Sequence, residues 1–143
     1  MKIAIGNDHA GPELNKIIVD FLKEKKIEVV NFGTKIDQRV DYPDYAHKVA
    51  EAVSSSKVDL GILICGSGNG IAMSANKHAA IRAALCWNIE IAKLAKAHNN
   101  ANVISLPARF INSEMAIEII EAFLDTEFEG GRHQLRIEKI SFC

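Results

Sequence analysis

The chain has no C-x-x-C pair. Its three cysteines, Cys65, Cys86 and Cys143, are odd in number and far apart, which fits neither a disulfide framework nor a zinc-ligand motif. They are expected to be reduced thiols. A surplus of either charge is also missing, since 17 basic residues meet 18 acidic ones for a formal net charge of -1. Without a basic stripe, neither nucleic acid nor an anionic membrane surface is expected as a partner, and any anion recognition must be local. No apolar run approaches the roughly 20 residues of a membrane span, and the opening MKIAIGND turns polar too early for a secretory signal. A cytoplasmic setting is expected. No low-complexity linker divides the chain, and 48% of its 143 residues are hydrophobic. Residues 1–143 are therefore expected to form one domain with a sizeable core.

What is present is alternation. KIAIG opens with a β-branched run ending in glycine, and Leu14, Ile17, Ile18, Phe21 and Leu22 then recur at helical spacing. The same strand-then-helix unit returns as EVVNFG with YPDYAHKVAEAVSS, LGILIC with a short GIAMSANKH helix, and IRAALC with NIEIAKLAKAH. NVISLP with NSEMAIEIIEAFLDT, begun at a cap on Asn112 or Ser113, completes the series. Five such units predict an α/β fold, a Rossmann-like three-layer α/β/α sandwich around a five-stranded parallel sheet, because parallel neighbours need crossover connections. GILI carries no polar alternation, as a central strand covered on both faces requires. The tail EGGRHQLRIEKISFC breaks the pattern, and residues 130–143 read as an arm with a short helix, docked on the body or on a partner chain.

Ligands of open parallel sheets bind beyond the C-terminal ends of the strands, and three of those ends carry polar groups: GNDHAG, CGSGNG and LPAR. Asp8 and His9 present a carboxylate and an imidazole there, or else cap the first helix. The loop Gly66-Ser67-Gly68-Asn69-Gly70 leads from a strand into a helix, so its amides can converge on an anion or oxyanion. It matches neither the P-loop nor G-x-G-x-x-G, and the plainer alternative is a turn that lets a helix pack closely. Cys65 precedes those amides, whose partial positive field is expected to lower its pKa and favour a thiolate base or nucleophile. A buried core cysteine is the alternative, and Cys86 looks like one. His98 and Asn99 end the fourth helix, where a histidine can move protons or simply favour a helix C-terminus. Arg132 and Arg136 stand four apart, aligned for a phosphate or lying on a solvated face.

Taken together, GNDHAG, DYPDYA, ICGSGNGIAMSANK, IRAAL, HNNANV and EGGRHQLR resemble the B-type ribose-5-phosphate isomerase family, which also contains the galactose-6-phosphate isomerase subunits. The resemblance runs over essentially the whole chain. It implies an aldose–ketose isomerase that interconverts ribose 5-phosphate and ribulose 5-phosphate through an enediolate and needs no metal or other cofactor. It assigns Cys65 as the base, Ser67 as a hydroxyl relay, the amides of Gly66, Gly68 and Gly70 to the oxyanion, and His98 to ring opening with Asp8 and Tyr42. Asn69 and Asn99 match positions that bond sugar hydroxyls; His9, Arg109, Arg132 and Arg136 match the phosphate-binding set. A second branch of the family uses a glutamate where this chain has Ile71, which puts the chain in the cysteine branch. The resemblance also implies a homodimer, in some members a tetramer, with active sites built from two chains. A six-carbon sugar phosphate such as allose 6-phosphate or galactose 6-phosphate is the nearest alternative substrate, and a nucleotide-binding module is the alternative from another class. The sequence shows no His/Asp/Glu cluster spaced to hold a metal.

Overall fold

The computed structural model describes residues 1–35 and 38–140; Cys143, whose role the sequence leaves open, lies outside them. Strand β1 (Lys2–Asn7) is followed by α1 (Pro12–Glu24), β2 (Glu28–Asn31) by α2 (Tyr42–Ser54), β3 (Leu60–Cys65) by α3 (Asn69–Ala75) and β4 (Ala83–Leu85) by α4 (Ile89–Asn99). The last unit is β5 (Val103–Pro107) with α5 (Ser113–Asp125), and the arm carries α6 (Arg132–Ile137). The strands form one sheet in the order β2-β1-β3-β5-β4, and every pair is parallel. This is the expected three-layer α/β/α architecture.

Successive strand residues point to opposite faces, and the core divides accordingly. Ile3 and Ile5, Ile62 and Ile64, and Ile104 and Leu106 pack against α1, α4 and α5, around Ile18, Ile119 and Phe123. Ala4, Leu63, Cys65 and Val103 face the other way, onto Val49 of α2 and Ile71 of α3. The near-continuous apolar runs follow from this division, since each strand must satisfy two apolar faces. It also fixes the side on which the Cys65 sulfur emerges.

Element edges differ from the sequence reading where side chains intervene. The short helix ends at Ala75 because Asn76 turns its amide to the edge strand, accepting from the Ala83 N–H at 2.8 Å and donating to the Ala83 carbonyl at 2.9 Å. β4 is shorter than IRAALC suggests: the Arg82 N–H is taken by Asn102 Oδ1 at 2.8 Å instead of a strand partner. Asn112, rather than Ser113, caps α5, accepting the Met115 N–H at 2.8 Å. Among the described residues, no helix is long and apolar enough to cross a membrane.

The sheet order puts the reversal of winding between β1 and β3. Connections leave these two neighbours toward opposite edges, so their C-terminal ends open a crevice. Asp8 follows β1 there, the glycine loop follows β3, and Arg109 follows the adjacent β5.

Candidate active site

A cleft of about 370 Å³ occupies that crevice, lined by Asp8, His9, Ala10, Tyr42, Cys65, Gly66, Ser67, Gly70, Arg109 and Phe110. Larger space, about 450 Å³, lies beside α1, but none of the residues expected to act lines it. The cleft floor is set by the strand ends. Buried Asn7, the last residue of β1, donates to the carbonyls of Asp8 at 2.8 Å and Thr34 at 3.0 Å, which fixes the peptide carrying Asp8. The Asp8 carboxylate accepts the Ala10 N–H at 2.8 Å, so it caps its turn and lines the cleft at once. His9 brings a buried Nδ1 with no hydrogen-bond partner among the described residues. A buried polar atom left unpaired costs free energy that a ligand can recover.

Cys65 is only 4% exposed, and its sulfur accepts the Gly68 N–H at 3.1 Å. The expected fall in its pKa is not what the site produces. Burial pushes the thiol above its ordinary range; the backbone N–H groups of Ile71, Gly68 and Ser67 pull it down, the Asp8 carboxylate adds to the rise, and burial prevails. Cys86 is the inert case expected, fully buried and pushed up to about 12 by desolvation alone.

The glycine loop does two jobs that its composition did not separate. Gly68 adopts a left-handed conformation at φ 75° and packs so close to Leu85 that a methyl group there would clash, as the close-packing alternative requires. Its amide is committed to the Cys65 sulfur, and the Asn69 N–H is committed to Ser67 Oγ at 3.3 Å. Gly66 lies under the Arg109 guanidinium, and a methyl on Gly70 would sit 2.5 Å from the Tyr42 ring. Asn69 lines an adjoining hollow of about 390 Å³ with Ser67, Leu85, Trp87, Pro107 and Phe110.

Ser105, not singled out in the sequence, holds this loop in place. It is fully buried on β5 and donates to the Gly68 carbonyl at 2.7 Å. The signal was a lone hydroxyl inside the apolar run NVISLP, which periodicity alone cannot distinguish from tolerated polarity. The same carbonyl also accepts the Ala72 N–H at a long 3.4 Å, so Ser105→Ala removes its short bond without leaving it unpaired, and a loss of about 0.5–1.5 kcal/mol in unfolding free energy is expected. Chemical denaturation would measure it, with Ser105→Thr as the variant that keeps the hydroxyl.

Four expected site residues do not reach the cleft of their own chain. β3 and β5 run in parallel register, with Gly61 beside Val103 and Cys65 beside Pro107, and that span rises about 13 Å. His98 and Asn99 end α4 just before β5 begins, so they stand toward the N-terminal ends of the strands, whereas Cys65 stands at the C-terminal end of β3. α6 packs beside them: the His133 ring stacks on His98 with centroids 4.2 Å apart, and Arg132 and Arg136 are exposed on the same short helix. Glu129 contacts both rings, its Oε2 lying 3.7 Å from His98 Nε2 and 3.4 Å from His133 Nε2. Burial, then His98 and Arg132, hold the His133 imidazole below its ordinary pKa, with Glu129 opposing. The sequence showed no His/Asp/Glu ligand cluster; the fold assembles one from His98, Glu129 and His133. Glu129 and His133 stand at i, i+4 spacing, but their meeting with His98 depends on where the arm docks.

A model of the ribose/galactose isomerase family matches residues 3–140. Ribose-5-phosphate isomerase B of Escherichia coli K12 is 47% identical over 140 residues, spanning 98% of this chain and 94% of that protein. Among solved structures, Clostridium thermocellum ribose-5-phosphate isomerase B superposes with a TM-score of 0.96 at 48% identity, covering 98% of this chain and 95% of that one. The Mycoplasma genitalium ribose-5-phosphate isomerase B, solved with bound ribulose 5-phosphate, gives 0.93 at 48% identity, with 97% and 93% coverage.

Proposed function

The chain belongs to the ribose/galactose isomerase family and is an isomerase, and from that premise we propose that it interconverts D-ribose 5-phosphate and D-ribulose 5-phosphate through an enediolate, with Cys65 as the base. The observation that carries this reading is the convergence of the Cys65 sulfur, the Ser67 hydroxyl and the Asp8 carboxylate on one cleft at the strand ends. The chemistry asks for three things there. The C2 proton of the open-chain aldose must pass to a base as electrons move onto the C1 carbonyl oxygen. A hydroxyl must carry the O2 proton to O1, and the base must then return its proton to C1.

Cys65 fits the first and last steps, since a buried thiolate is an unsolvated base. Ser67, exposed at the cleft rim, fits the relay. The Gly68 amide supports both states of the cycle: it stabilises the thiolate before transfer, and its hold on sulfur weakens once the thiol forms and charge appears on the substrate oxygen. The amides of Gly66 and Gly70 complete the oxyanion set. His9 and Arg109 line the same cleft and are assigned to the phosphate, a local positive pair on a chain without net positive charge.

His98, Asn99, Arg132 and Arg136 join the reaction by lying in the cleft of a second copy. Their place toward the opposite ends of the strands supports this, and so do Phe110, which lines the cleft, and Trp87 in the adjoining hollow, 75% and 51% exposed, an apolar surface suited to a second copy. The working unit is a homodimer with two shared sites. In it His98 opens the furanose ring with Asp8 and Tyr42, Asn69 and Asn99 bond sugar hydroxyls, and the two arginines complete the phosphate site.

The test is incubation of the purified chain with ribose 5-phosphate in chelator-treated deuterated buffer. Ribulose 5-phosphate should form with solvent deuterium exchanged at the transferred position. Turnover of allose 6-phosphate or galactose 6-phosphate in preference to the pentose would reassign the substrate, and tight nucleotide binding with no isomerisation would overturn the reading.

A further inference from the structure

The cluster of His98, Glu129 and His133 has a geometry of its own. Two imidazole Nε2 atoms approach one carboxylate oxygen at 3.7 and 3.4 Å, and all three ligand atoms lie within 4.8 Å of one another. An N–H···O hydrogen bond would draw such a pair to about 2.9 Å. A tetrahedral ion with bonds of about 2.0–2.2 Å instead sets its ligands roughly 3.3–3.6 Å apart, close to the two separations from the Glu129 oxygen. The two segments that carry Glu129 and His133 are pinned by backbone bonds, from the Glu129 N–H to the Ala97 carbonyl at 3.0 Å and from the His133 N–H to the Gly130 carbonyl at 3.0 Å. His133 is almost buried, at 7% side-chain exposure, whereas His98 at 37% has room to turn. The rings are stacked nearly parallel, 4.2 Å between centroids and 8° between planes, and their nitrogen lone pairs lie in the ring planes, so His98 has to turn out of the stack for both nitrogens to meet one ion.

We propose that His98, Glu129 and His133 form a binding site for one divalent ion of the zinc class, and that its occupancy inhibits isomerisation by taking His98 Nε2 out of proton transfer. Two imidazoles and one carboxylate select zinc-class ions over magnesium or calcium, which prefer all-oxygen sets. Three protein ligands leave a fourth position open to water or to a substrate oxygen. The ion is an inhibitor, not a cofactor. Binding is independent of the catalytic reading; inhibition rests on the assignment of His98 to ring opening.

The experiment titrates the assembled, chelator-treated protein with Zn²⁺ by calorimetry and with Co²⁺ by visible absorption. It compares the native chain with Glu129→Gln, His133→Gln and Cys86→Ser. One ion per chain is expected, with a tetrahedral cobalt spectrum free of thiolate charge transfer. Loss of one outer-shell partner commonly weakens metal sites roughly 10- to 100-fold, so loss of a ligand in Glu129→Gln or His133→Gln should weaken binding at least that much, while Cys86→Ser leaves it unchanged. Glu129 is exposed, so its variant keeps the fold. Isomerase activity should fall in step with occupancy and return on adding chelator. Absence of stoichiometric binding, binding indifferent to both substitutions, or thiolate bands in the cobalt spectrum would overturn the site. Stoichiometric, substitution-sensitive binding with unchanged turnover would overturn the inhibition and count against His98 as the ring-opening group.

Discussion

Cys65→Ala is expected to lower kcat by about 10²–10⁴-fold, the usual contribution of a positioned acid–base group, while ribose 5-phosphate still binds within a few-fold of the native affinity. The separation follows from geometry. The sulfur sits on the cleft floor, whereas His9 and Arg109 at the rim are assigned to the phosphate, so removing the sulfur takes away the base and leaves the anchor. Solvent exchange of the C2 proton should vanish together with product formation. The pH dependence gives a second check whose sign is fixed by the site. With the thiolate as the proposed base and burial raising its pKa, kcat/KM should climb with pH through a midpoint above that of an ordinary thiol. Alkylation by iodoacetamide should follow the same curve. Because the Asp8 carboxylate contributes to that rise, Asp8→Asn should move the alkylation curve to lower pH even as it slows ring opening. Retention of both exchange and turnover in Cys65→Ala would make the thiol structural and send the search for a base to other cleft residues.

The sign of that shift marks where sequence reading stops. Alternating apolar runs and helical periodicities were enough to place five strands and their helices, because each strand must bury two faces and each helix one. The polar groups after β1, β3 and β5 were legible for a related reason: a parallel sheet leaves few other places for Asp8, Cys65 or Arg109 to act. The amides beside Cys65 were legible too, since a glycine loop entering a helix presents them. What no local pattern carries is the desolvation that outweighs them, because the depth of the sulfur depends on α2 and α3 packing over the same face of the sheet. The Ser105 hydroxyl and the Gly68 carbonyl are 37 residues apart. Glu129 reaches His98 through the docking of an arm that the strand–helix pattern does not include. Such contacts are set by tertiary register, which one sequence does not display.

Mixing two inactive variants should restore activity. Cys65→Ala removes the proposed base and His98→Asn the proposed ring-opening group, each expected to cost about 10²–10⁴-fold alone. β5 separates these positions by the length of a strand within one chain, so the proposed shared site takes Cys65 from one copy and His98 from the other. When the two variants are unfolded together in equal amounts and refolded, half of the dimers are mixed. Each mixed dimer holds one site with both lesions and one with neither, so recovery of about a quarter of the native rate is expected for a symmetric two-site assembly. The pairing pattern carries more weight than the yield. Cys65→Ala with Ser67→Ala should not recover, since both lesions fall on the cleft side, and His98→Asn with Arg132→Ala should not, since both fall on the lending side. Cys65→Ala with Arg132→Ala should recover. Failure of every cross-side pair, with mixed dimers shown to form, would mean that each chain completes its own site, and the end of α4 and the arm would then have to move along the length of the strands to supply it.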